Sequence, residues 1–218
     1  MKHTLDIGSV EPAFADRKIL QGVYIRVETG AVTGLLGSNG SGKSCLMNIL
    51  FGMLHPALKS LRIDGVWADR FGADEVRCLP QHGFVPDNLR MDRVLRDYGL
   101  DAADFFGWFP DLDKLRGSRF GTLSGGERRV VEFYAILCPP CRFVLLDEPF
   151  SQVRPLHIDT FCKLLEREKR NKGILLTDHR YRQVRAVSDS LCPMSGGTTR
   201  PVRRAEELVR WGYVNRTD

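Results

Sequence analysis

Several things are scarce or missing in this chain of 218 residues, and each absence removes a class of protein. No run approaches the roughly 20 consecutive apolar residues of a membrane-spanning helix, so any work at a membrane must go through a partner. The opening MKHTLDIGSV lacks the apolar core of a secretory leader, and none is expected. Internal repeats, low-complexity tracts and heptad runs are absent, which argues against coiled-coil machinery. The six cysteines are scattered through apolar segments rather than spaced as a disulfide framework, which suits a reducing compartment. Cys138 and Cys141 form a CPPC, but it joins a helical segment to a strand, and no second CxxC or nearby histidine pair completes a zinc site. A structural role is the simpler explanation of that pair, with redox or metal chemistry the alternative. The charge imbalance is small too: the net charge is +5 and the basic residues are dispersed, apart from Arg200, Arg203 and Arg204. A solvated surface explains that pattern, and no nucleic-acid partner is expected.

What is present is 43% hydrophobic residues arranged in short apolar runs. Strand-like stretches at TLDIGSV, VYIRV, AVTGLLG, LRIDG, VRCLP, RFVLLD, GILLTD and SLCPM alternate with helical or turn segments, the pattern of an α/β fold with a mainly parallel sheet. Between Gln81 and Leu123 the texture changes: MDRVLRDYG, DAADFFGWF and DLDKLRG look like short helices broken by glycine and proline, a small helical insertion in the core.

The strongest local signal is GSNGSGKS, Gly37 to Ser44, which comes after an apolar strand and opens a helix. It fits the phosphate-binding pattern of a P-loop, including Gly37, Ser38, Asn39, Gly40, Ser41, Gly42, Lys43 and Ser44, with Cys45 next on the helix. Glycines let the loop turn its backbone N–H groups inward, Lys43 neutralises the β and γ phosphates, and Ser44 ligates Mg²⁺. A site of this kind needs an acid at the end of a second buried strand. LLDEPF supplies two: Asp147 to hold Mg²⁺ and Glu148 to orient or deprotonate the attacking water. Without the phosphate loop, the same acids would read as solvated turn residues.

LSGGERR, Leu123 to Arg129, narrows the class, and with it nearly the whole chain resembles an ABC (ATP-binding cassette) ATPase. The resemblance implies a P-loop core with an antiparallel β subdomain and a short helical insertion near residues 82–140, within one cassette domain spanning 1–218. It implies ATP and Mg²⁺ as ligands, and Ser124, Gly125 and Gly126 as a second anion site that meets the γ phosphate held by another subunit. Gln81 in LPQHGF matches the glutamine that senses Mg²⁺ and γ phosphate, and His179 in LLTDHR matches the switch histidine. Phe14 in EPAFADR falls where the family places an adenine-stacking ring, with a core phenylalanine as the alternative.

One chain holds one phosphate loop and one signature, so the resemblance implies a head-to-tail pair, with a second copy or a homologous subunit. It also implies a separately encoded membrane permease that would hold the pair at the inner, cytoplasmic face of the membrane. LSGGERRVVE, LLDEPF and LLTDHR resemble the ATPases of lipopolysaccharide export and of branched-chain amino acid uptake, which leaves cargo and direction open. Two competing classes are a soluble cassette ATPase of the iron–sulfur assembly kind and a nucleotide-binding regulator that no longer hydrolyses. The latter is motivated by Arg154, which in SQVRP replaces the aspartate that usually faces the opposite subunit.

Overall fold

The computed structural model describes residues 2–12 and 20–200. Its two sheets arise from two sequence patterns. TLDIGSV and YIRVE alternate apolar and polar residues, as suits strands with one wet face. They form β1 (Thr4–Pro12) and β2 (Tyr24–Glu28) of an antiparallel sheet ordered β2-β1-β4-β5, with β4 at Pro56–Ile63 and β5 at Val66–Trp67. The β4–β5 turn is Asp64-Gly65, both at positive φ (53° and 79°), the two-residue hairpin signal that marks the short β5.

VTGLL, FVLLD and GILLT are continuous apolar runs, and every residue of each is buried. They are β3 (Val32–Leu36), β7 (Phe143–Asp147) and β8 (Gly173–Thr177), the middle of a six-stranded sheet ordered β10-β9-β3-β8-β7-β6. The other members are β6 (Val76–Leu79), β9 (Ser190–Ser195) and β10 (Thr198–Thr199). All neighbours here are parallel except β9 and β10.

Alternate residues of these strands feed two cores. Val144, Leu146, Ile174 and Leu176 join the helical side, while Phe143, Leu145 and Leu175 join the side covered by the antiparallel sheet and α1 (Lys43–Leu50). On the helical side lie α2 (Met91–Asp97), α3 (Ala102–Trp108), α4 (Gly125–Leu137) and α5 (Pro155–Glu168), with α6 (Tyr181–Val187) near β3. Phe133 of α4 stacks on Phe161 of α5 with centroids 3.7 Å apart. DLDKLRG is not an α-helix: Pro110–Leu115 is a 3-10 segment that continues from α3 directly through Phe109. CPPC joins α4 to β7 as its position suggests, and burial pushes the Cys138 thiol up to about 12 and the Cys141 thiol upward. Both changes disfavour thiolate chemistry.

Gly173 opens β8 where the two sheets meet; a Cβ there would lie 2.7 Å from the Phe143 ring and 2.9 Å from the Glu28 carbonyl. Overpacking of this kind costs about 1–3 kcal/mol. Gly173→Ala is therefore expected to lower the thermal midpoint by several degrees in a circular dichroism melt, and an unchanged midpoint would refute this packing.

Candidate functional site

The parallel register brings the site together. Leu79 of β6 sits beside Leu146, Asp147 beside Thr177, and Leu35 of β3 beside the same Thr177. Four strands therefore finish at one edge, and the loop leaving each of them carries a candidate: Gly37, Gln81, Glu148 and Asp178-His179. Ligands of open α/β sheets bind at this carboxyl edge.

After β3 the loop turns through Gly40 and Gly42, at φ 78° and 107°, and Gly42 caps α1. Both angles lie where only glycine is comfortable. Lys43 bends back, its Nζ donating to the carbonyls of Gly37 (2.7 Å) and Ser38 (3.1 Å). Burial lowers its pKa, against the opposing pull of Glu148 and Asp147. A cavity of about 920 Å³ is lined by Asn39, Gly40, Ser41, Gly42, Lys43, Ser44 and Cys45 on one side and by Gln81 and Glu148 on the other. Gly196 and Gly197 also line it; they sit in the β9–β10 turn, and Gly197 N–H donates to the Ser41 carbonyl (3.2 Å). The sequence reading missed these two, and the glycine pair was the signal.

Asp147 is buried and its Oδ1 has no hydrogen-bond partner. An orphaned carboxylate oxygen fits a hydrated divalent cation; Ser44 is exposed and lines the cavity, whereas Asp147 lies buried and does not line it. Glu148 is held in left-handed backbone (φ 49°), its N–H donating to the Thr177 carbonyl (2.7 Å). Its Oε2 lies 3.6 Å from Nδ1 of the exposed His179. Asp178, which sequence reasoning passed over, is buried and accepts the N–H groups of Phe150 and Arg180 (2.9 Å each), tying the segment after Glu148 to the segment after β8.

Ser124, Gly125 and Gly126 do not line this cavity; they start α4 elsewhere on the chain. Ser124 and Glu127 form a capping box, with the Ser124 hydroxyl and N–H each 2.8 Å from Glu127 Oε2. The two glycines also make room for a neighbour: a Cβ on Gly125 would lie 2.5 Å from the Gln152 amide oxygen, and one on Gly126 2.7 Å from the Gln152 carbonyl. Phe14 lies outside the described residues.

A sequence model of the family described as ABC transporter matches residues 20–151, which contain the phosphate loop, Gln81, Ser124–Gly126, Asp147 and Glu148. The chain belongs to the ABC transporter family. It is similar to the lipopolysaccharide export system ATP-binding protein LptB of Escherichia coli K12, 29% identical over 98% of this chain and 95% of that protein. It is also similar to the Nod factor export ATP-binding protein I of Burkholderia lata, 28% identical over 88% of this chain and 68% of that protein. The ATP-binding subunit of an ABC transporter shares the fold, with a TM-score of 0.81 at 20% identity over 97% of this chain and 94% of that one. So does a bacterial Atm1-family ABC exporter with ATP bound, with a TM-score of 0.82 at 19% identity, although this chain spans only 40% of its length.

In this ABC ATPase, Arg154 has a partner within its own chain. Its Nη2 donates to Asp111 Oδ2 (2.5 Å), and the buried His157 places Nε2 3.1 Å from both Asp111 oxygens. Burial pushes the Asp111 carboxyl up, but His157 and Arg154 together outweigh it and hold it below its ordinary value. Asp111 belongs to the 3-10 segment, so the reversed charge at Arg154 anchors the start of α5 to the helical side. Only the tertiary structure reveals that bond.

Burial, then the neighbouring Glu148, pushes the Asp147 carboxyl up to about 6. It holds its proton more tightly in the folded chain than in the unfolded one, so its contribution to stability falls as pH rises from about 4, the unfolded value, through the folded one. Asp147→Asn removes that dependence. In calorimetry of nucleotide-free protein its midpoint is expected to match the parent near pH ~4 and exceed it above pH ~6. Parallel curves for the two proteins would contradict the burial of this charge.

Proposed function

We propose that this ABC transporter ATP-binding subunit hydrolyses ATP as half of a head-to-tail pair and drives a separately encoded membrane permease. One observation carries the proposal: the cavity holding Lys43, Gln81 and Glu148 excludes Ser124–Gly126, so a complete site needs that signature from a second copy or a homologous subunit. Residues 82–140 are taken as the helical insertion that meets the permease. The pair would then sit at the cytoplasmic face of the membrane; among the described residues no helix is long and apolar enough to cross one. The relatives named for export favour outward transport.

In the proposed reaction the loop N–H groups and Lys43 bind the β and γ phosphates, with Lys43 exchanging the Gly37 and Ser38 carbonyls for phosphate oxygens. Ser44, Asp147 and Gln81 would hold Mg²⁺, which when bound neutralises charge on those phosphates. Glu148 orients a water and takes its proton as the oxygen attacks the γ phosphorus, and the bond to the β–γ bridging oxygen breaks to give ADP and phosphate. His179 contacts the γ phosphate. Closure of the pair around ATP and its release after hydrolysis would turn nucleotide state into motion.

Glu148→Gln is expected to lower kcat by about 10²–10⁴-fold while leaving the affinity for a fluorescent ATP analogue within about threefold. Turnover at the parent rate in that variant would sink the role of Glu148. No turnover by the parent, even at concentrations that force pairing, would favour a non-hydrolysing regulator. Recovery from detergent extracts with soluble partners alone would favour the assembly-type alternative.

A further inference from the structure

The deeper part of α4 is buried on every side from Arg129 to Leu137, and two of those positions are charged. Arg129 is 5% exposed and Glu132 2%, values at which long charged side chains survive only when paired. Their charges face one another, Arg129 Nη1 lying 4.0 Å from Glu132 Oε2. What matters is where their remaining bonds go. Arg129 Nη1 donates to the Pro80 carbonyl (2.7 Å), and Nη2 donates to the carbonyls of Asp147 (2.6 Å) and Glu148 (3.0 Å). Glu132 Oε1 accepts the N–H groups of Phe84 (2.9 Å) and Val85 (3.3 Å). One pair therefore grips the chain on both sides of Gln81, at the last residue of β7, Asp147, and at Glu148 just after it.

The bond to Glu148 falls on a strained peptide. A residue other than glycine in left-handed backbone costs on the order of 1–2 kcal/mol, and persists only where its surroundings over-determine it. At Glu148 (φ 49°) the N–H is held by Thr177 from one side and the carbonyl by Arg129 from the other. The planar fork of Arg129 spans carbonyls at the ends of two strands, which a lysine's single ammonium cannot do.

We infer that Arg129, with Glu132 as its counter-charge, is a positioning residue for hydrolysis: it fixes the backbone of Glu148 and ties it to the Gln81 segment. The inference rests on the role proposed above for Glu148. Arg129 does not line the cavity that holds Lys43 and Glu148; it acts through the peptide it holds. Misplacing a catalytic group by about 1 Å costs roughly 10²-fold in rate without weakening binding.

The test compares the parent full-length chain with Arg129→Gln, Arg129→Lys and Glu148→Gln, measuring ATP turnover at fixed Mg²⁺ and the Kd of a mant-labelled ATP. Arg129→Gln is expected to lower kcat by about 10²-fold and Arg129→Lys by about 10-fold, with Kd within about threefold in both. The inference is overturned if Arg129→Gln keeps kcat within about threefold of the parent, if Kd weakens as much as kcat falls, or if lysine restores nothing. Loss of turnover in Glu148→Gln beside a normal Arg129→Gln overturns this inference alone; parental turnover in Glu148→Gln overturns the role of Glu148 and this inference with it. Should Arg129→Gln not fold, Arg129→Lys decides: parental kcat refutes the inference, and a loss of about 10-fold at unchanged Kd supports it.

Discussion

Everything chemical in this molecule hangs from four parallel strands that end flush. Hydrogen bonding between β3, β8, β7 and β6 locks Leu35, Thr177, Asp147 and the Leu79–Leu146 pair into one register. A slip by one residue would exchange the two faces of a strand and carry its terminal residue away from its neighbours. The apolar runs prevent this, because each feeds a different core with alternate residues. Burial on both faces therefore does more than stabilise the sheet: it sets the spacing of a phosphate loop, a glutamine, two carboxylates and a histidine drawn from points as far apart as residues 37 and 179.

Such an edge concentrates charge where water is scarce. Asp147 is buried with one oxygen unpartnered, next to Glu148; burial, then the charges of Glu148 and Asp178, raise the Asp147 carboxyl, and burial, with Glu148 adding to it, raises Asp178. The positive groups that offset them are Lys43 in the loop and Arg129 on α4. A site poised this way destabilises the free protein, which is a common relation between stability and function. The helical side adds its own ties through Arg154–Asp111 and Tyr134–Asp104, so the segments around the signature are anchored to the core by polar contacts as well as by the Phe133–Phe161 stack.

Much of this was legible in advance. GSNGSGKS announced its loop because positive-φ glycines, a lysine and a hydroxyl at fixed spacing have few other uses, and FVLLD announced a strand buried on both faces because nothing in it tolerates water. All eight strand-like runs correspond to strands, while β5 and β10 were too short to show a period. DLDKLRG is the short helix its texture suggests, but of the tighter 3-10 kind over Pro110–Leu115, a difference its composition does not mark. Arg129 and Glu132 are interior because α4 is packed on every side from Arg129 to Leu137, which a charged side chain in the sequence does not announce.

The sequence by itself determined the chemistry available, because a phosphate loop, its acids and a signature are local patterns whose spacing is set by the reach of a turn or a strand. Tertiary structure decided which of these meet and what holds them. Gly196 and Gly197 join the phosphate cavity, the signature is kept out of it, and Arg154 turns to Asp111 of its own chain. Those outcomes depend on contacts between residues dozens of positions apart, and a charge or a glycine carries no local mark of the partner it will find once the strands are in register.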